Sequence, residues 1–152
     1  MASTNKSTEY DDDGMQSKIS ALTNIQSIIT RMATNSLTMK TWSVTVITGF
    51  IAIKSSLGGL GCLGYLVPLL VCFCFSYLDS YYLSQERIFR GVYNELASIL
   101  VGSGYNYLNF SSEIKKQESD INNSLRMCYR SSSIKYFYLP MAFLSLIILI
   151  KG

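Results

Sequence analysis

Histidine is absent from this 152-residue chain. With it go the commonest general base and metal ligand, and the Ser-His and Cys-His nucleophile pairs. Charge is scarce too: Asp, Glu, Lys and Arg make up 15% of residues against 49% hydrophobic, well below the usual quarter. Proline occurs only twice, as Pro68 and Pro140, so long helices are not forbidden. The four cysteines, Cys62, Cys72, Cys74 and Cys128, match no zinc spacing and form no disulfide framework. They read as small apolar fillers. These deficits point away from a hydrolase, a metalloenzyme or any cofactor-dependent enzyme; no catalytic residue and no metal ligand stands out.

What is present is apolar length. Mean hydropathy is +0.24, and no charge occurs from Ser55 to Leu78. Within that stretch "YLVPLLVCFCFSYL" is dense enough to cross a bilayer. A span over about 63–81 is about 28 Å long, close to the hydrocarbon thickness, with Pro68 expected in its first turn. Upstream, "TWSVTVITGFIAI" lies between Lys40 and Lys54. It becomes an adequate span over about 37–57 if the lysines extend to the interface, where Trp42 would anchor it. "YFYLPMAFLSLIILI" near the C-terminus is a third span, about 134–150, or else a tail lying in the interface.

Basic residues orient the chain. Lys6, Lys18, Arg31 and Lys40 precede the first span, and Arg87, Arg90, Lys115, Lys116, Arg126, Arg130 and Lys135 separate the second from the third. Eleven of thirteen then fall on one side, which is cytoplasmic by the positive-inside rule. A multi-pass protein with its N-terminus inside follows. "MASTNKSTEYDDDGMQ" lacks the basic-then-apolar pattern of a signal peptide, and residues 1–14 read as a disordered acidic tail.

The helices are expected to outrun the bilayer. Met15, Ile19, Leu22, Ile25, Ile29 and Met32 form one stripe ahead of the first span, with Asp13 as its cap. Leu78, Tyr82, Gln85, Phe89, Val92, Leu96 and Ile99 alternate at four and three residues, a heptad seam, and Glu86 and Arg90 make an i, i+4 pair. Gly102 and Gly104 end that helix; following a helix rather than a strand, their "GSG" is no nucleotide fingerprint. The expected fold is an all-α membrane protein, a single helical domain over 15–152. A long antiparallel transmembrane hairpin carries cytoplasmic extensions at 15–36 and 82–133, plus a short C-terminal membrane helix. Homo-oligomerisation would cover the remaining faces; a self-contained bundle is the alternative.

Two sets of polar residues stand out. Asp79, at the membrane boundary, is either simply solvated or part of a ring with Tyr82, Gln85 and Glu86 at the mouth of a cation pore. The segment 111–135 carries five basic and three acidic residues. Lys115, Lys116, Arg126, Arg130 and Lys135, with Arg87 and Arg90, would contact anionic lipid as a membrane-surface element or hold the phosphates of a signal.

"IQSIITRMATNS", "KTWSVTVITGF" and "YLDSYYLSQERIFRGVYNEL" together resemble a group of small bacterial multi-span membrane proteins. Their second span ends in a Leu-Asp-x-Tyr-Tyr-Leu-x-x-Glu-Arg-x-Phe-Arg signature, here Leu78 to Arg90. The likeness covers residues 19–98, about half the chain. Some small multi-span proteins of this general kind are antiphage membrane effectors, those of the Hailong type among them. The resemblance implies an oligomeric pore in the bacterial inner membrane, opened by a nucleotide or oligonucleotide signal or by a protein partner. The other expectation is a non-conducting anchor or adaptor that recruits a cytosolic partner.

Overall fold

The computed structural model describes residues 3–57, 63–101 and 105–151. Among these no strand occurs. The elements are α1 (Ser3–Leu57), α2 (Leu63–Ser98), α3 (Ser111–Glu118), a 3-10 turn at Ile121–Asn123, α4 (Leu125–Tyr129) and α5 (Ser132–Lys151). Two helices are long and apolar enough to cross a membrane, over Asp13–Ile53 and Leu66–Ser98, and α5 supplies a shorter apolar helix at Ser132–Ile147. The protein is thus all-helical, and its two long apolar helices fit a membrane location.

Helix α1 stays intact despite many hydroxyl side chains because those side chains bond to their own helix. Thr34, Thr38, Thr41 and Thr45 each donate to the carbonyl four residues back, so their polarity costs little in apolar surroundings. The helix runs from Ser3, so Asp13 lies inside it rather than at its cap. Pro68 is the sixth residue of α2, in its second turn rather than its first, and removes one backbone donor there.

Helices α1 and α2 lie side by side and run in opposite senses. Lys18 meets the end of α2, Ser36 and Lys40 meet its middle at Asp79, and Ile47 packs near Cys72. One core joins Ala21, Ile25 and Ile29 of α1 to Val92 and Leu96 of α2, and Tyr107 closes it. The seam expected on each helix is therefore present only in part. Met15 and Ile19 are about half exposed, as is Leu78; the buried α1 line runs through Ala21 instead, one position round the helix, because a small residue lets the two backbones approach.

A second face of α2 carries Cys72, Ser76, Ser80, Ser84 and Ile88, all buried at a spacing of four. Ser76 and Ser80 bond carbonyls within α2, and their small size admits the returning chain. Residues 105–151 come back along this face. Ser84 donates to the Asn123 carbonyl, and Arg87 donates to the Asn122 carbonyl at 3.1 Å. Tyr138 of α5 packs with Cys72 and Ile47 in a second core. The segment 111–135 is consequently a folded return against α2, with Ser84 and Arg87 presenting donors to its carbonyls.

The C-terminal carbonyls of α2 need partners. Lys18 donates to Ala97 at 2.9 Å and Ile99 at 2.6 Å, and Tyr107 donates to Leu100 at 3.0 Å. The expected stop at Gly102 and Gly104 lies outside the described residues.

Leu96→Ala is expected to lower unfolding stability in detergent by about 2–5 kcal/mol, whereas Leu100→Ala, at an exposed site, stays within about 0.5 kcal/mol. Lys18→Met should cost about 1 kcal/mol by freeing the last carbonyls of α2. Denaturant titration followed by circular dichroism reads all three.

Candidate functional site

The charged residue most deeply buried in the structure is Asp79, at 0% exposure. It sits on the α1-facing side of α2, and two α1 residues one turn apart meet it. Lys40 Nζ lies 2.6 Å from Oδ2. Ser36 donates its hydroxyl to Oδ1, and Lys40 donates to Ser36 Oγ at 3.1 Å. The result is a closed triangle of carboxylate, ammonium and hydroxyl between the two long helices.

Its surroundings are dry. Ser43 and Ser80, each 0% exposed, flank it on the two helices, and Ser43 spends its proton on the Lys40 carbonyl at 2.7 Å. Met141 of α5 approaches Ser43 Oγ at 4.0 Å. An isolated carboxylate in such a place is expensive; here Oδ1 accepts from Ser36, and Oδ2, with no hydrogen-bond donor of its own, faces the Lys40 ammonium. Asp79 is therefore not solvated at a boundary, as one expectation had it. In this single chain it faces α1 rather than an open lumen.

The other expected pore residues are arranged differently. Glu86 is mostly buried and accepts from Arg90 at 2.8 Å, the i, i+4 pair read from the sequence. Tyr82 and Gln85 are half-buried, and the Tyr82 ring stands edge-on to Tyr81 with centroids 5.8 Å apart. None of the three touches the Lys40–Asp79 triangle by hydrogen bond.

The basic residues divide into two groups. Arg87 clasps the return segment through the Asn122 carbonyl, and Arg90 is held by Glu86. Lys116 pairs with Glu95 at 2.5 Å, which raises the lysine's pKa. Lys115, Arg126, Arg130 and Lys135 are exposed and make no ion pair among the described residues. Gln117 lies across Gly91, where any Cβ would collide with it, and reaches the Glu95 carboxylate at 3.5 Å.

Two further groups near this end are perturbed. Burial first, and the neighbouring Glu113 carboxylate second, push the Tyr105 phenol up to about 12. Glu113 is in turn held below the usual carboxylate range, chiefly by the Tyr105 hydroxyl. Cys128 is fully buried and its thiol is raised by that burial, so it packs rather than reacts. Cys72 is likewise buried and Cys74 exposed; Cys62 lies outside the described residues.

No protein-family description, curated protein or solved structure matches this chain.

The sequence signalled Asp79 but not its partner. Lys40 reads as an interfacial flank when each helix is considered alone, because nothing local shows which face of α1 meets α2. The one available cue was that Ser36 and Lys40 sit four apart on one face of α1.

Asp79→Leu leaves Lys40 without its anion and is expected to cost about 3–5 kcal/mol, and Lys40→Met should cost about as much. The double variant Lys40→Met/Asp79→Leu should recover most of that loss. A double-mutant cycle on unfolding free energies in detergent gives the coupling; additive losses would show that the pair is not coupled.

Proposed function

We propose that the chain is a multi-pass membrane protein that forms a homo-oligomeric pore or ion channel, with the Lys40–Asp79 pair as the latch of its closed state. The observation that supports this reading most is the fully buried Asp79, paired with a partly buried Lys40, between two helices long enough to span a bilayer. Ionisable residues at such a position are costly and are kept for a purpose more often than for stability. In this reading α1 and α2 form the transmembrane hairpin, α5 is a third pass, and the N-terminus is cytoplasmic. Opening breaks the triangle and turns Asp79 toward an axis shared by several copies, where a ring of carboxylates favours cations.

The exposed α2 stripe of Leu66, Leu70, Phe73 and Tyr77 gives each copy an apolar face for lipid or for a neighbour. The packed end at Ala21–Ile29 and Val92–Leu96 is where a signal would act, through a nucleotide, an oligonucleotide or a protein partner. On the resemblance to small bacterial multi-span membrane proteins, a general kind that includes antiphage effectors, we extend the reading to depolarisation of the inner membrane in antiphage defence.

Purified protein in liposomes, assayed for cation flux and for subunit number, tests the reading. The wild type is expected to be oligomeric and nearly tight at rest. Lys40→Met, which releases Asp79, should raise basal cation flux about tenfold or more, and Asp79→Asn should remove cation preference. A monomer that never conducts, in either variant, would overturn the pore and leave the anchor, for which capture of a cytosolic partner without flux is the signature.

A further inference from the structure

Helices α2 and α5, with the end of α4, enclose a crevice of about 440 Å³, within the size range of ligand clefts, about 300–1,000 Å³. Its character changes along its length. At one end Leu69, Leu139 and Ala142 make an apolar channel; at the other stand Ser76, Tyr129, Arg130 and Lys135. Leu69 and Ser76 are about 10 Å apart along α2, so the polar and apolar ends are well separated. Phe73 and Leu139, each about two-thirds exposed at 64% and 63%, form an outer lip. The crevice is therefore open from the side that the membrane-spanning reading turns to lipid.

The cations at the polar end are unspent. Arg130 and Lys135 are exposed and meet no carboxylate within ion-pair distance among the described residues. They flank the start of α5 at Ser132. The Tyr129 hydroxyl stands beside them, 3.4 Å from Ser76 Oγ; Ser76 gives its one proton to the Phe73 carbonyl, so this long contact leaves the Tyr129 proton free to turn to a stronger acceptor. Two cations and a hydroxyl donor at the mouth of an apolar channel fit one chemistry: an anionic head attached to a hydrocarbon chain.

We propose that this crevice is a binding site for an anionic phospholipid. One acyl chain lies between α2 and α5 along Leu69, Leu139 and Ala142, and the phosphate is held by Arg130, Lys135 and the Tyr129 hydroxyl. The lipid bridges the return segment to the long helix on the face where α2 sets the small side chains of Cys72 and Ser76 beside Leu69 and Phe73. The site requires a membrane location but not ion conduction, so it stands or falls separately from the pore.

Native mass spectrometry of the full chain, purified in detergent and incubated with equimolar phosphatidylglycerol and phosphatidylcholine of matched chains, tests it. The wild type should retain phosphatidylglycerol in preference. Arg130→Gln/Lys135→Gln should reduce that preference about tenfold. Ala142→Phe, which fills the apolar end and leaves both cations in place, should reduce retention of either lipid. Helical content by circular dichroism confirms that the variants are folded. Inorganic phosphate in excess should not displace the lipid; displacement would mean that the anion alone is bound. Equal retention of the two lipids by the wild type, or an unchanged preference in the double variant, overturns the proposal.

Discussion

A carboxylate with no access to water has to find its counter-charge inside the fold, and that requirement on Asp79 sets the alignment of the two long helices. Lys40 and Ser36 are one turn apart on α1, so only one register brings both to Asp79. Sliding α1 by a single turn would move the ammonium about 5 Å away and strand the carboxylate among apolar side chains. Hydrophobic contacts such as those of Ile25, Ile29, Val92 and Leu96 are non-directional and discriminate less sharply. The charge pair supplies specificity of register, the best-attested use of a buried polar contact. The price is a bundle that loses much of its stability when either partner is removed.

The rest of the chain is organised around what this alignment leaves over. With one side of α2 committed to α1, an adjacent side accepts residues 105–151, and the serines at 76, 80 and 84 keep that side narrow. Backbone approach then supplies the contacts: Asn123 accepts from Ser84 through its carbonyl and donates through its amide to the Gln117 carbonyl at 2.9 Å. Glu95 gathers Lys116 and Gln117 over Gly91 in the same way. Several charges of the "YLDSYYLSQERIFRGVYNEL" stretch are thus structural. Asp79 binds α1, Glu86 binds Arg90, Arg87 binds the return segment and Glu95 binds α3. Farther along, Lys115, Arg126, Arg130 and Lys135 remain directed outward.

Much of this architecture was written in local patterns. Uncharged length marked α2, and the hydropathy between Lys40 and Lys54 marked α1. The spacing of Ile25, Ile29, Val92 and Leu96 located the core of the extended ends, and the Glu86–Arg90 pair followed from helical periodicity. These features depend on a residue and its neighbours three or four positions away, which is the range that one helix imposes on its own sequence.

The partnerships between helices were decided only by tertiary structure. Lys40 with Asp79, Lys18 with the carbonyls of Ala97 and Ile99, and Ser84 with Asn123 join residues 39 to 81 positions apart. Each of these polar groups has several plausible local fates, in solvent or at an interface, and the sequence does not rank them. The serine line on α2 shows the same limit, since small polar residues read equally as exposed surface or as a close-packed contact. The sequence by itself determined that long apolar helices form and which stripes they carry. The fold decided which stripe meets which, because a carboxylate is buried only where another helix brings it a cation.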